Sequence, residues 1–373
     1  MKAPKGLTFS GIHSGIKRKN LDLGLVVSEG FSDCVCFFTN NRVKANPIIL
    51  NLNNLKINNS QIKAIIVNSG NANSFTGKQG LKDAQVINKK LSKLLNIKPE
   101  FILSASTGII GKRLPVSKIL KNLNRLVAEL SPDNFKKFSQ AILTTDTQRK
   151  LFFKEVKVSG EKVRILGIAK GAGMIYPQLN KATMLGFIFT DANIKRSLLI
   201  QACREAVDLS FNSISVDGCR STNDSVFVLA SKKSSSGIER KDKSFKEFSS
   251  QLKEVMLSLA KSIVKDAEGA TKFIEIEINS AKTKEEARRA GLAIANSNLF
   301  KTAIYGENPN WGRIISALGQ AQIPLKDNIS IKYTSLKARG VKLKIDLKRG
   351  KYSWRVYTSD LTPEYIKINS NYS

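Results

Sequence analysis

Lys170-Gly171-Ala172-Gly173-Met174-Ile175-Tyr176-Pro177-Gln178-Leu179-Asn180-Lys181-Ala182-Thr183-Met184-Leu185-Gly186 lies near the middle of a 373-residue chain. The stretch opens on a lysine and three small residues and passes Pro177. It ends in Ala182-Thr183, which feeds an apolar, strand-sized run from Met184 to Phe189. One reading makes Gly171-Ala172-Gly173 a tight turn and Thr183 an ordinary strand residue. The other makes the stretch a self-cleavage site with Thr183 as nucleophile. A threonine hydroxyl is a poor nucleophile until a base takes its proton. An N-terminal threonine carries that base itself, because its α-amine has an ordinary pKa of about 8 and is partly neutral at physiological pH. An internal threonine gains the amine only once the preceding peptide bond is broken. The small residues and Pro177 suit a tight approach to that bond, and Ala182 leaves its carbonyl accessible. These residues alone leave both readings open.

Outside this stretch, the most useful fact is a scarcity. His13 is the only histidine. A Ser-His or Cys-His mechanism would have to use this one residue in an N-terminal loop, and a His-rich metal site is excluded. Any general base is therefore expected to be an amine or a carboxylate. Cys34, Cys36, Cys203 and Cys219 show no CxxC and no paired ligand spacing, so they suggest neither zinc nor a disulfide framework. Buried thiols in a reducing compartment are the expectation.

The length suits two domains or one large one, with ample core. The N-terminal Met1-Lys2-Ala3-Pro4-Lys5-Gly6 has no apolar core of a signal peptide, and no apolar run approaches a membrane span, so a cytoplasmic enzyme without membrane attachment is expected. The formal net charge of +31 invites a nucleic-acid reading. The lysines, however, are spread along the whole chain, with no arginine-rich arm, basic tail or aromatic-plus-arginine platform. Binding footprints normally cluster on one face, so no nucleic-acid partner is expected, although the charge would steer anionic substrates.

Residues 1–60 read as short strands and turns. Lys63–Val67 reads as a strand running into Asn68-Ser69-Gly70-Asn71-Ala72-Asn73, which is either a turn or a pocket wall. Leu81, Ala84, Ile87, Leu91, Leu94 and Leu95 predict a helix. Phe101–Leu103 then runs as a strand into Ser104-Ala105-Ser106-Thr107-Gly108, an end suited to binding an anion or oxyanion. Pro115 opens a helix striped by Val116, Ile119, Leu120, Leu123, Leu126, Val127 and Leu130. Leu151–Val158 and Val163–Ile168 form a hairpin that delivers the chain to Lys170. Ser213–Val216 reads as a strand into Asp217-Gly218-Cys219-Arg220-Ser221-Thr222-Asn223-Asp224. Ser244 with Glu247, and Thr283 with Glu286, read as capping boxes. The last fifty residues alternate in β fashion. There is no dinucleotide fingerprint, P-loop or internal repeat. The expected fold class is α/β, with helices packed outside layered sheets.

Taken in order, the motifs make the chain resemble the ornithine acetyltransferase family, the ArgJ glutamate N-acetyltransferases. The resemblance covers essentially the whole length. It rests on Ala3-Pro4-Lys5-Gly6, Val67–Asn73, Ser106-Thr107-Gly108, Thr144-Thr145-Asp146-Thr147, Lys170–Ile175, Ala182-Thr183-Met184-Leu185, Val216-Asp217-Gly218, Ser221–Asp224, Glu268-Gly269-Ala270-Thr271, Asn308–Arg313 and the Asn369/Tyr372 terminus.

The resemblance implies the layered DmpA/ArgJ type of fold with an N-terminal nucleophile. It implies cleavage between Ala182 and Thr183, giving an α chain (1–182) and a β chain (183–373) that assemble as a heterotetramer of two of each. It implies acetyl transfer from N2-acetyl-L-ornithine to L-glutamate through acetyl-Thr183, with Thr107 and Gly108 as the oxyanion hole. Thr144, Lys170, Thr183, Glu268, Asn369 and Ser373 would bind substrate. No metal or organic cofactor is implied, and acetyl-CoA is a further candidate donor. The sequence departs from the family pattern in three places. Asn180-Lys181 lengthens the segment before the scissile bond, the chain stops at Ser373 where a further hydroxyl-bearing residue is usual, and Cys219-Arg220 replaces acidic or hydroxylic residues. The alternatives are a DmpA-like aminopeptidase, with the same nucleophile but water as acceptor, and a basic nucleic-acid-binding protein.

Overall fold

The computed structural model describes residues 1–177 and 184–371. Ala182, Thr183, Ser373 and the Asn180-Lys181 pair lie outside the described residues. The strands are β1 (Leu7–Ile12), β2 (Leu23–Phe38), β3 (Gln61–Asn71), β4 (Ile102–Ile109), β5 (Lys150–Val158), β6 (Glu161–Lys170), β7 (Leu185–Thr190), β8 (Asn193–Ile194), β9 (Ser225–Ala230), β10 (Gly237–Ile238), β11 (Phe273–Ala281), β12 (Ser330–Tyr333), β13 (Gly340–Asp346) and β14 (Tyr352–Ser359). The α-helices are α1 (Asn46–Ile57), α2 (Gly77–Leu95), α3 (Val116–Ala128), α4 (Phe135–Ala141), α5 (Arg196–Leu209), α6 (Lys243–Lys265), α7 (Lys284–Ala295), α8 (Asn298–Tyr305), α9 (Trp311–Gln320) and α10 (Pro363–Ser370).

The large sheet runs β4-β3-β2-β9-β7-β6-β5, with β1 beside the first half of β2. Two strands from the second half of the sequence, β9 and β7, therefore sit between β2 and β6 from the first half. They are the most buried strands, with every residue of both inside. Alternation splits β7 between two cores. Leu185, Phe187 and Phe189 face α4 and β1, where Phe138 meets Phe187 and Phe9 meets Phe189 edge-on, each with ring centroids 5.1 Å apart. On the other face Ile188 joins Val226 and Val228 against α5 and α6. A strand covered on both sides reads as a continuous apolar run, as Leu185–Phe189 does. The second sheet, β12-β13-β11-β14, packs one face on α7, α8 and α9. The α/β layering read from the sequence is the observed architecture.

Several local expectations change. The 1–60 region carries a helix, α1, where strands and turns were expected. Ile48-Ile49-Leu50 reads as strand-like, and the asparagines after it are poor helix formers. Three of those asparagines lie on one stripe of the helix and its C-cap and bond alternate carbonyls, two in the edge strand β4 and one in the 3-10 turn Pro99–Phe101 that leads into it. The Asn51 amide donates to Ser104 O (2.7 Å), Asn54 to Ile102 O (3.0 Å) and Asn58 to Glu100 O (2.6 Å). A helical stripe is thus matched to the two-residue period of β4, and it covers a sheet edge that would otherwise expose backbone.

Ser213–Val216 is not a strand. A 3-10 turn at Phe211–Ser213 leads to a single bridge between Ile214 and Tyr357. Helix α6 is capped by Asp242, whose carboxylate accepts from Phe245 N at 3.1 Å, so Ser244 and Glu247 are not its capping box. Thr283 does cap α7, but the Glu286 carboxylate turns to Arg349 (2.7 Å) rather than back to the cap. The C-terminal residues end in α10, started by Thr362 as N-cap and Pro363 in the first turn, not in a further strand.

Candidate active site

One pocket is lined by Thr107, Gly108, Thr144, Lys170, Glu268 and Asn369, all six of the substrate and oxyanion residues read from the sequence that are described. Gly171, Gly173, Met174 and Ile175 line it before the undescribed 178–183 segment, and Met184 and Leu185 line it after.

Each side chain reaches the pocket from the end of an element. β3 and β4 run parallel and finish together, with Ser69 opposite Thr107 and Gly70 opposite Gly108. Gly108 has φ +133°, and a Cβ there would lie 2.4 Å from the Gly70 carbonyl carbon, so only glycine lets the strand ends close this tightly. Beneath them, Ser106 Oγ donates to Asn68 Oδ1 (2.6 Å), and the Asn68 amide donates to Asn71 O (2.8 Å). Residues 68–71 are therefore the end of β3 rather than the expected turn, and they support the pocket from beneath without lining it. The Asn223 amide holds Ala72 O (2.6 Å) and Ser106 O (2.8 Å), tying in the Ser221–Asp224 motif.

Lys170, the last residue of β6, is registered opposite Leu185 in β7. Its ammonium donates to Thr144 Oγ1 at 2.7 Å and to Thr107 Oγ1 at 3.3 Å. Thr107 accepts in that bond and keeps its own hydroxyl proton to donate elsewhere. Burial pushes the Lys170 pKa down, and the Asp146 carboxylate, 3.8 Å away, opposes that. Asp146 itself is buried, which favours its neutral form. Lys170, Lys150 and the Gly171 N–H overcome this and hold it at about 2.

Glu268 sits on the turn after α6, where its own N–H donates to Ala172 O (3.0 Å). Its Oε2 accepts from the Asn369 amide of α10 at 3.0 Å. The loop after Lys170 is held by Asp217, whose carboxylate accepts from Met174 N (2.6 Å), Ile175 N (2.9 Å) and Cys219 N (3.0 Å). Met174 is kept at φ +56°, a conformation uncommon outside glycine. The Tyr365 hydroxyl of α10 also bonds Asp217. Burial, followed by Asp217, pushes its pKa up. One carboxylate thus links the 171–177 loop, the 217–224 loop and the helix that carries Asn369. The sequence motifs included Asp146 and Asp217 without a role for either, and Lys150 and Asp266 lay outside every motif or at its edge. The available signal was the i, i+4 spacing of Asp146 and Lys150.

The ArgJ family model matches residues 8–373. The chain belongs to the ArgJ family. It is 41% identical over 398 aligned positions to the arginine biosynthesis bifunctional protein ArgJ of Thermotoga neapolitana, covering 100% of each chain. It is 39% identical over 401 positions to the glutamate N-acetyltransferase of Methanocaldococcus jannaschii, covering 100% of this chain and 98% of that one. A solved ornithine acetyltransferase from Mycobacterium tuberculosis, complexed with ornithine, is 30% identical and covers 48% of this chain and 96% of its own, with a TM-score of 0.42.

Arg220 places its guanidinium over the Tyr176 ring, 5.3 Å from the centroid. Cys219 is exposed beside Asp217, and partial burial and that carboxylate raise its thiol pKa. Among the described residues no cluster of three or more His, Cys, Asp and Glu side chains is arranged to hold a metal ion, and no helix is long and apolar enough to cross a membrane.

Proposed function

We propose that the chain cuts itself between Ala182 and Thr183 and then moves an acetyl group from N2-acetyl-L-ornithine to L-glutamate through Thr183. The observation that carries this is the convergence of Thr107, Gly108, Thr144, Lys170, Glu268 and Asn369 on one pocket whose wall includes both flanks of the 178–183 segment. Leu185, two residues after Thr183, is registered directly opposite Lys170.

In this reading the Thr183 α-amine takes the hydroxyl proton as the oxygen attacks the acetyl carbonyl. The Thr107 hydroxyl and the Gly108 N–H stabilise the developing oxyanion. The C–N bond breaks, the ornithine amine leaves with the proton, and acetyl remains as an ester on Thr183. The glutamate amine then attacks that ester along the same path in reverse. Lys170 suits a substrate carboxylate, and the Glu268–Asn369 pair suits an ammonium group at the other end. Ser373 completes the proposed substrate contacts. The route uses no metal or organic cofactor. The proposed working form has two α chains (1–182) and two β chains (183–373) in the cytoplasm.

Freshly purified protein is expected to run as two fragments, and Thr183→Ala as one. Incubation with N-acetylornithine should add one acetyl mass to the fragment beginning at Thr183. Cleavage of Thr183→Ala at the same bond, or no acetyl adduct on the wild type, would overturn the proposal. Ornithine release beyond one equivalent per Thr183 in the absence of glutamate would indicate the aminopeptidase-like alternative, with water as acceptor. Replacing the donor with acetyl-CoA reads whether that molecule also charges Thr183.

A further inference from the structure

Behind the pocket lies a buried set of four charges. The Lys150 ammonium is 2.7 Å from Asp146 Oδ1 and 2.5 Å from Asp266 Oδ2, with all three side chains sealed from solvent. Lys170 is the fourth member, 3.8 Å from Asp146 Oδ2. Two carboxylates face two ammonium groups, so the set is neutral as a whole. It also fixes backbone at Thr144, Thr147 and Gly171. Asp146 accepts from Gly171 N (2.6 Å), next to Lys170, and from Thr144 N (3.1 Å). Asp266, two residues before Glu268, accepts from Thr147 N (3.1 Å) and from the Thr147 hydroxyl.

We propose that Asp146 is a positioning residue for acetyl transfer, keeping the Lys170 ammonium charged and aimed at the substrate carboxylate between Thr107 and Thr144. The proposal builds on the reading of Lys170 as the substrate's carboxylate partner. The groups facing Lys170 are Asp146 from the 142–149 segment, Lys150 from β5, Glu268 from the turn after α6, Asp224 before β9 and Lys17 from the loop after β1. Of the nearby carboxylates, Asp146 acts on Lys170 most strongly, ahead of Glu268 and Asp224. Without it, burial and Lys150 would act on Lys170 with little opposition, and the amine would lose its proton at lower pH.

The test uses the full chain with Asp146→Asn. It also uses the pair Asp146→Asn with Lys150→Met, which leaves Asp266 and Lys170 as one charge of each sign and so restores neutrality. Lys170 titration is followed by NMR with labelled lysine, assigned with Lys170→Met, a readout independent of self-cleavage. Asp146→Asn is expected to titrate at Lys170 about one pH unit or more below wild type, and the pair to lie between the two, because Lys150→Met removes a group that also favours loss of the Lys170 proton. In the cleaved enzymes, donor KM should rise about tenfold or more at alkaline pH with a smaller change in kcat. The paired variant should recover much of the thermal stability lost in the single one, while its Lys170 titration and donor KM stay short of the wild-type values. An unshifted Lys170 titration, or a pair that restores wild-type KM along with stability, would overturn the proposal and leave Asp146 a purely structural residue. An unchanged donor KM in Lys170→Met would instead overturn the reading of Lys170, a result separate from any shift in its titration.

Discussion

The Glu268 carboxylate occupies the space that a side chain on Gly173 would need: a Cβ there would fall 2.2 Å from Oε2. The glycine lets the carboxylate reach the pocket floor beside Asn369. Gly173→Ala should displace Glu268 and raise KM for the substrate bearing the facing ammonium about 10- to 100-fold, the range expected for a lost charge-assisted bond of about 1.5–3 kcal/mol. Steady-state kinetics on the cleaved enzyme checks this.

Gly108→Ala meets backbone rather than a pliable side chain, at 2.4 Å from the Gly70 carbonyl carbon and 2.5 Å from Asn71 N. The ends of β3 and β4 would have to part, moving the N–H proposed to stabilise the oxyanion. A fall in kcat of roughly 10²- to 10³-fold is expected, the usual cost of losing one such donor. Circular dichroism should show the fold retained.

Asp217→Asn keeps the size but leaves a single acceptor oxygen for the Met174, Ile175 and Cys219 N–H groups. The 171–177 loop should loosen, with a stability loss of about 1.5–3 kcal/mol and slower appearance of the two fragments. A thermal melt and a gel time course measure the two effects.

Lys301 is a buried ammonium from α8 that donates to Val216 O and, at 3.4 Å, to Thr358 Oγ1. Burial lowers its pKa to about 8, against the opposing pull of Asp217 and Asp360. A lysine with a lowered folded-state pKa binds fewer protons folded than unfolded between about 8 and its ordinary 10.5. Its contribution to stability therefore rises with pH across that window, by up to about 1.4 kcal/mol per unit. Urea titrations at pH 7.5 and 10 should show wild type gaining on Lys301→Met by about 2–3 kcal/mol, an order-of-magnitude expectation.

Asn51→Ala strips both partners from buried Ser104, whose N–H donates to Asn51 Oδ1 at 2.8 Å and whose carbonyl accepts from its amide at 2.7 Å. Leaving both backbone groups unpaired should cost about 2–4 kcal/mol. The same change at exposed Asn53 should cost little.

That helix also marks the limit of what the sequence disclosed. α2 and α3 were legible because their apolar residues recur on one face, and β5–β6 because a two-residue turn, Ser159-Gly160 at φ +48° and +86°, joins two alternating runs. α1 was not legible because its binding stripe is asparagine, whose value appears only against the carbonyls of β4. α10 was hidden for a related reason. It buries no residue and is started by Thr362-Pro363-Glu364, a signal overshadowed by the β alternation before it. In the site, Thr107, Gly108, Thr144, Lys170, Glu268 and Asn369 came from the family motifs, not from periodicity. Beyond the i, i+4 contact of Asp146 with Lys150, the roles of Asp146, Asp217 and Lys150 depend on partners 25 to 116 residues away, which no local pattern encodes.

The strand order also sets a timetable for synthesis. β2 and β6 each lack a neighbour until β9 and β7 arrive, and β9 ends only at Ala230. A ribosome that has released only the first half of the chain has released six of the eight strands of the large sheet, with a gap where its most buried strands belong. The N-terminal portion made alone should therefore be insoluble or chaperone-bound. Any cut near the middle must wait until translation is well past it, and afterwards the two pieces are held by the shared sheet and should separate only on unfolding.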